Sequence, residues 1–487
     1  MPRGSFRARP YSLAVLETVA LPLWAVAAGG ALAAWAAWDK LVAPAVRWFV
    51  AGRANRVLEE VSTRLRIGVR PFQRTRRQVL IHRLLGDPRV QAAAEQWARD
   101  NGLPVQEGLR RTEVYAREIV PAFNAYLYFR IGYWIGRKLA QGLYRVRLGY
   151  VDTEGLRTVP ENATVVFVMN HRSNMDYILA GYLAVEQAAL SYAVGEWARI
   201  WPLSALIRAM GAYFVRRNSK DDLYRRVLER YIVMATQAGV PQAVFPEGGL
   251  TRDGLMREPR LGVVDYMLRG FWLDGERDLV FVPLGLNYDR VLEDRTLLLA
   301  LDPNARRPGR FWAAWNTLGF AVRNLGLMLR SEWHRFGYAC VNFGSPVSMR
   351  EYSRQHGLDF QKLTGEPRRE AVAALGRRLM SEVGRIVPVV PVPMIAAVFA
   401  ADPQRPRSAI ELKLAVEALR ERLEAAGAHV YVPRKDFDYA IGVGLRMLTL
   451  RHLVDERDGM YLPRASELAV LRYYANSIAH LLRETAK

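Results

Sequence analysis

From residue 164 onward, short apolar runs of strand length alternate with apolar-patterned segments of helix length: 164–169, then 175–185, 212–216, 223–238 and 242–245. That alternation predicts an α/β unit with helices packed on its sheet. Two further strands are expected at 279–287 and 338–343. Upstream, 41–151 reads as helical, because 54–65 and 79–97 repeat apolar residues at three and four with few β-branched runs. Phe311, Trp315, Leu318, Val322, Leu325 and Leu329 form a continuous apolar stripe behind Arg306, Arg307 and Arg310. Such a helix suits either a packed core or a membrane interface. After Pro388, Pro391 and Pro393 a smaller unit begins, with one helix over 409–426 and another ending near Leu482.

The stretch 18–38 carries no charge. As a helix it would be about 31 Å long, against a hydrocarbon core of about 30 Å, so a membrane anchor is expected. Arginines on both sides leave its orientation open, and a buried helix or a cleaved signal peptide fits the same residues. The chain thus divides into an anchor (1–40), a helical region (41–150), an α/β unit (151–390) and a mainly helical C-terminal region (391–487). Its 487 residues exceed one core of ordinary size. With 69 Lys plus Arg against 48 Asp plus Glu, the net charge of +21 favours anionic partners: phosphate esters, acidic carrier proteins, phospholipid headgroups or nucleic acid. Cys340 is the single cysteine, which excludes a disulfide framework, and the lack of a Cys/His cluster argues against a metal site.

Three predicted strand ends carry chemistry. The first is NHRSNMDY, 170–177, where His171 stands five positions before Asp176. In an unbroken helix those two would lie about 140° apart, but a histidine on the loop before the helix can fold back to the carboxylate. Asp176 would then hold one imidazole nitrogen protonated and leave the other free to take a proton. Ser173 is placed to cap the helix and face the amide of Asp176, so a capping box with Asp in the Glu place is the structural alternative. The second is GAYFVRR, 211–217, whose Arg216 and Arg217 point to opposite faces, one suited to a phosphate and one to a neighbouring carboxylate. The third is AVFPEGGLTR, 243–252. There Gly248 and Gly249 permit close backbone approach, so that successive amides can form an anion site with Arg252 beside it. Glu247 is placed to bind an acceptor hydroxyl or to brace an arginine. VPLGLNYDRVLE, 282–293, would line the same sheet edge. The spacings match neither a nucleoside triphosphate loop nor a dinucleotide fingerprint.

These blocks, in this order and at these separations, resemble the glycerolipid acyltransferases, and most of all the bacterial membrane glycerol-3-phosphate acyltransferases. His171 and Asp176 match the family's H-x-x-x-x-D, GAYFVRR its second block, FPEGG with Thr251 and Arg252 its third, and the stretch around Pro283 its fourth. The similarity extends to DPRVQAA at 87–93 and YYANSIAHLL at 473–482. The third block often reads E-G-G-R-S-R in the family, whereas Leu250 and Thr251 stand here. The resemblance implies an α/β acyltransferase fold with a mixed central sheet flanked by helices. It implies transfer of a fatty acyl group from acyl-CoA or acyl carrier protein to the sn-1 hydroxyl of glycerol 3-phosphate, with no resident cofactor. His171 and Asp176 would be catalytic, and Arg216, Arg217, Glu247, Gly248, Gly249, Arg252 and Pro283 would bind substrate. Backbone amides near the first or fourth block would hold the oxyanion. The setting implied is an anionic phospholipid surface at the cell inner membrane, with the catalytic unit facing the cytoplasm and no nucleic-acid partner. Lysophosphatidate and dihydroxyacetone phosphate are the alternative acceptors.

Overall fold

The structure is a computed structural model that describes residues 70–184, 190–194, 203–216, 219–302 and 336–483. The expected anchor at 18–38, the helix at 54–65, the stripe at 311–329 and Arg217 lie outside these residues. Among the described residues no helix is long and apolar enough to cross a membrane.

The sheet contains β1 (Arg145–Val151), β2 (Thr164–Met169), β3 (Ser191–Val194), β4 (Tyr213–Phe214), β5 (Gln242–Val244), β6 (Leu279–Tyr288), β7 (Tyr338–Phe343) and the two-residue β8 (Val347–Ser348). Their order is β1-β7-β6-β2-β5-β3-β4, with β8 also paired to β6. β6, β2, β5, β3 and β4 run parallel, while β7 and β8 are antiparallel to β6. The sheet is therefore mixed.

β2 is buried along its whole length because the sheet is covered on both faces. Successive side chains on a strand point to opposite faces. Accordingly Val165, Phe167 and Met169 join one apolar cluster, and Val166 and Val168 join the other. The second cluster receives the helix Asp222–Gln237 and the N-terminal helices Arg77–Leu85, Pro88–Asp100 and Val105–Ile119. Asp87 explains part of that docking. Its carboxylate caps the helix Pro88–Asp100 through the amides of Arg89 and Val90, and accepts from Arg230 Nε at 2.8 Å on the facing helix.

Two sequence expectations need correction. The helical stretch read up to 151 stops at Leu143, and Arg145–Val151 is an edge strand parallel to β7. Only one side of it is paired, and its residues are exposed or half-buried, so arginines alternate with Val and Leu instead of marking a helix. The prolines near 390 do not end the core either. Pro391 and Pro393 sit in the first turn of the buried helix Pro391–Ala401, where a missing N–H costs nothing. Val389, Val392 and Ile395 share one cluster with β6, β7 and the C-terminal helix Leu468–Asn476. The described residues from 70 to 483 fall in one compact unit. Asp289, at the end of β6, fixes the junction by accepting from the amides of Val392 (3.0 Å) and Tyr338 (2.8 Å).

Candidate active site

Parallel strands deliver their carboxyl ends to one edge, and β2, β5 and β6 do so side by side. The loop after β2 begins with Asn170, whose amide group pairs with both the carbonyl (2.9 Å) and the N–H (2.8 Å) of Leu286 on β6. That pairing carries the loop one residue beyond the strand and sets His171 at the edge. His171 Nδ1 lies 2.9 Å from Asp176 Oδ2, and both side chains are buried, at 2% and 0% exposure. The same oxygen accepts the amides of Arg172 (2.7 Å) and Ser173 (3.0 Å). Its partner Oδ1 accepts the hydroxyl of Tyr288. Four donors thus hold one carboxylate, and the carboxylate fixes the ring. No described residue bonds Nε2.

The ring stacks on Phe245 at 4.1 Å between centroids and meets Tyr177 edge-on at 5.4 Å. It lines a cleft together with Tyr177, Phe245, Gly248, Gly249 and Arg260. A histidine so placed has one nitrogen engaged by a carboxylate and the other available to a ligand in the cleft, which is the arrangement of an oriented general base.

Ser173 departs from expectation in detail. Its Oγ caps the amide of Met175 at 3.1 Å, not that of Asp176, and donates to Glu293 Oε2 at 2.8 Å. Asp176 supplies the reciprocal half of a capping box by accepting the Ser173 amide, so the structural and the chemical readings coexist. Glu293 also accepts the amide (3.2 Å) and the side-chain nitrogen (3.0 Å) of Asn174. Burial raises the Glu293 carboxyl above the ordinary range.

Glu247 stands behind the histidine. Oε1 accepts the His171 amide at 2.9 Å and Oε2 the Arg257 amide at 3.3 Å. Burial pushes its carboxyl up to about 7, against the opposing pull of the His171 amide and the Arg172 guanidinium. It braces backbone, with no contact to a cleft hydroxyl or to an arginine side chain in the described bonds.

Gly248 and Gly249 both line the cleft, and Gly248 has φ +70°. A Cβ on Gly248 would sit 2.6 Å from Arg260 Cδ, so glycine there lets the arginine stem lie across the turn. The amide of Gly248 turns inward to the Phe245 carbonyl (3.0 Å) and that of Thr251 to the His171 carbonyl (3.0 Å), while the amides of Gly249, on the cleft wall, and Leu250 have no backbone acceptor among the described bonds. Arg252 is exposed, reaches the Ala300 carbonyl at 3.4 Å and is not among the residues that line the cleft. Arg260 lines it instead. Arg216 pairs as a fork with Glu118, at 2.9 and 2.6 Å, and lies against the rings of Tyr115 and Tyr224. Pro283 is buried inside β6 opposite Val168 and does not line the cleft.

Arg172 is fully buried beside the His171–Asp176 pair. Its guanidinium donates to the carbonyls of Gly254 and Ser477, the latter at 2.9 Å, and so ties the loop to the C-terminal helices. Asn476 completes the junction with a bond to the Asp253 carbonyl at 2.8 Å. Among the described residues no cluster of three or more His, Cys, Asp or Glu could hold a metal ion. Burial pushes the Cys340 thiol up to about 12, which removes it as a thiolate nucleophile. Arg260 and Tyr288 are not singled out by any sequence pattern. Arg260 follows the glycine pair by a dozen residues in a loop with no pattern, and Tyr288 stands within the fourth block, where Pro283 drew the assignment.

Residues 150–287 match the family described as Acyltransferase, and residues 324–486 match Glycerol-3-phosphate acyltransferase C-terminal region. The chain is 25% identical over 420 residues to a glycerol-3-phosphate acyltransferase of Aeromonas hydrophila, covering 83% of this chain and 50% of that protein. It is 26% identical over 449 residues to one of Pseudomonas entomophila, covering 88% and 51%. The chain therefore spans about half the length of the curated relatives it matches. The first of the two matched regions carries the His171–Asp176 pair and the glycine turn, and the second carries the helices that Arg172 engages. On these grounds the chain carries an Acyltransferase region followed by a Glycerol-3-phosphate acyltransferase C-terminal region, and is a distant relative of the bacterial glycerol-3-phosphate acyltransferases.

Proposed function

We propose that this protein is a glycerol-3-phosphate 1-O-acyltransferase. In this reading Nε2 of His171 takes the proton of the sn-1 hydroxyl as that oxygen attacks the thioester carbonyl of acyl-CoA or acyl carrier protein. The tetrahedral intermediate collapses by breaking the carbon–sulfur bond, the thiolate leaves, and the imidazolium proton neutralises it. Asp176 stabilises the imidazolium throughout. No acyl-enzyme is needed, in keeping with a Ser173 hydroxyl committed to Glu293 and a buried Cys340.

The observation that carries the reading is the 2.9 Å pairing of His171 Nδ1 with Asp176 on the wall of a cleft shared with Gly248, Gly249 and Arg260. Arg260 and the amides of Gly249 and Leu250 would receive the acceptor phosphate. With Leu250 at a position where relatives often carry arginine, and with Arg216 held by Glu118, Arg260 is the described guanidinium facing that cleft. Arg217 remains a further candidate of the second block. The product, 1-acylglycerol 3-phosphate, is an amphiphile that an enzyme at the cytoplasmic face of the inner membrane could release into lipid, and the net charge of +21 favours an anionic membrane.

The test is acceptor-dependent thiol release with acyl-CoA and with acyl carrier protein, product position being read by mass spectrometry after regiospecific lipase cleavage. Release that requires glycerol 3-phosphate and yields the sn-1 ester supports the proposal. Release only with lysophosphatidate or dihydroxyacetone phosphate would move the acceptor assignment, and no release with any of the three would reject it.

A further inference from the structure

The fourth sequence block gives the mechanism above no residue, since Pro283 lies inside β6 away from the cleft. What the block does deliver is Tyr288, the last residue of that strand, whose hydroxyl donates to Oδ1 of Asp176 while Oδ2 holds His171 Nδ1. Tyr288 is fully buried, and its ring packs against that of Tyr144 at 5.4 Å. We infer that Tyr288 is a positioning residue that sets the pH at which His171 becomes a working base, by drawing charge from the far oxygen of Asp176. The inference rests on the acyl-transfer reading for its kinetic form, but not for its physical form.

A hydrogen bond to a carboxylate stabilises the anion and leaves it less able to stabilise a cation on its other side. The Tyr288 hydroxyl therefore limits how strongly Asp176 favours imidazolium over imidazole. Removing it returns that charge to Asp176, keeps the ring protonated to higher pH, and so delays the onset of base catalysis as pH rises. The other charged and titratable groups around the pair come from several elements. Glu247 stands beneath His171 after β5, Arg172 on the loop itself, Glu293 after β6 and Tyr144 after the helix Tyr133–Leu143. Arg260 lines the same cleft as the ring. Among these, only Tyr288 donates a side-chain hydrogen bond to the oxygen that His171 does not use. Tyr144, though adjacent, spends its hydroxyl on the Arg290 carbonyl at 2.8 Å.

The experiment compares Tyr288→Phe, which keeps the packed ring, with Tyr144→Phe as control. Two readouts are taken on the full chain: the pH dependence of kcat/KM for glycerol 3-phosphate, and the ring titration of His171 by NMR with 15N-labelled histidine, assigned with His171→Gln. Tyr288→Phe is expected to move both midpoints up by about half a pH unit or more, and Tyr144→Phe to leave them in place. Should Tyr288→Phe not fold, 3-fluorotyrosine at 288, a stronger donor, is expected to move both midpoints down. Unmoved midpoints in the folded phenylalanine or fluorotyrosine protein overturn the inference, even if turnover has dropped, because a packing role alone lowers rate without displacing the profile. A wild-type enzyme with no acyl transfer would defeat the functional reading and leave the NMR comparison to decide this one.

Discussion

The backbone amide of His171 donates to Glu247 Oε1 at 2.9 Å, so the glutamate of the glycine turn holds the histidine by its main chain and not by its ring. One carboxylate thus supports two loops, after β2 and after β5, while the opposite side of the turn faces the cleft. Burial raises its carboxyl to about 7 from an ordinary value of 4.5. With the folded value above the unfolded one, the native state binds the proton more tightly, and stability falls as pH rises from 4.5 to 7. The full difference corresponds to roughly 3 kcal/mol. Glu247→Gln should therefore lose stability relative to wild type at pH 5 and recover much of that loss at pH 8, measured by urea unfolding. Asp289, raised by burial to about 6, tilts both proteins alike, so the difference between them isolates Glu247.

Gly248 and Arg260 form the second testable contact. Gly248→Ala would place a methyl 2.6 Å from Arg260 Cδ at a φ of +70°, and the arginine must move. Both Gly248→Ala and Arg260→Ala should raise KM for glycerol 3-phosphate by about tenfold or more, with a smaller effect on kcat, since a lost charge-assisted bond to phosphate is worth about 1.5–3 kcal/mol. Steady-state kinetics over acceptor concentration decide the matter. An unchanged KM in Arg260→Ala would return the phosphate to Arg217.

Arg172 predicts a coupling between distant parts of the sequence. Its guanidinium satisfies the Gly254 and Ser477 carbonyls inside the protein, so Arg172→Met leaves both without a donor. A loss of about 2–4 kcal/mol in unfolding free energy is expected. The release should be visible as faster proteolysis within 464–483, and Arg172→Lys should restore little because one ammonium cannot span the two carbonyls as a planar fork does.

Much of the site was legible because its residues sit at strand ends that announce themselves. The wholly buried strand β2, apolar after Thr164 and followed by NHRSNMDY, fixes where His171 emerges, and the register of β2 with β5 brings FPEGG beside it. Other elements gave no such signal. β1 is an exposed edge rich in arginine, and β3 and β4 are four and two residues long, too short for a period to show. The small antiparallel sheet of Arg407–Ser408, Val454–Arg457 and Met460–Pro463 depends on pairing across about fifty residues. Charge at a strand end suggests a ligand contact, as it does for Arg216 and Arg252. Which partner a guanidinium finds, whether Glu118, a carbonyl or a phosphate, is decided by tertiary packing that no local pattern contains.

The most direct test is the single-turnover rate of thiol release from an acyl thioester mixed with glycerol 3-phosphate, in wild type, His171→Ala and Asp176→Asn, with far-UV dichroism and unfolding curves confirming native structure. The account predicts that both variants slow the step by about 100-fold or more while still binding the thioester. Rates within about twofold of wild type in a folded His171→Ala protein would contradict the assignment of His171 as the base.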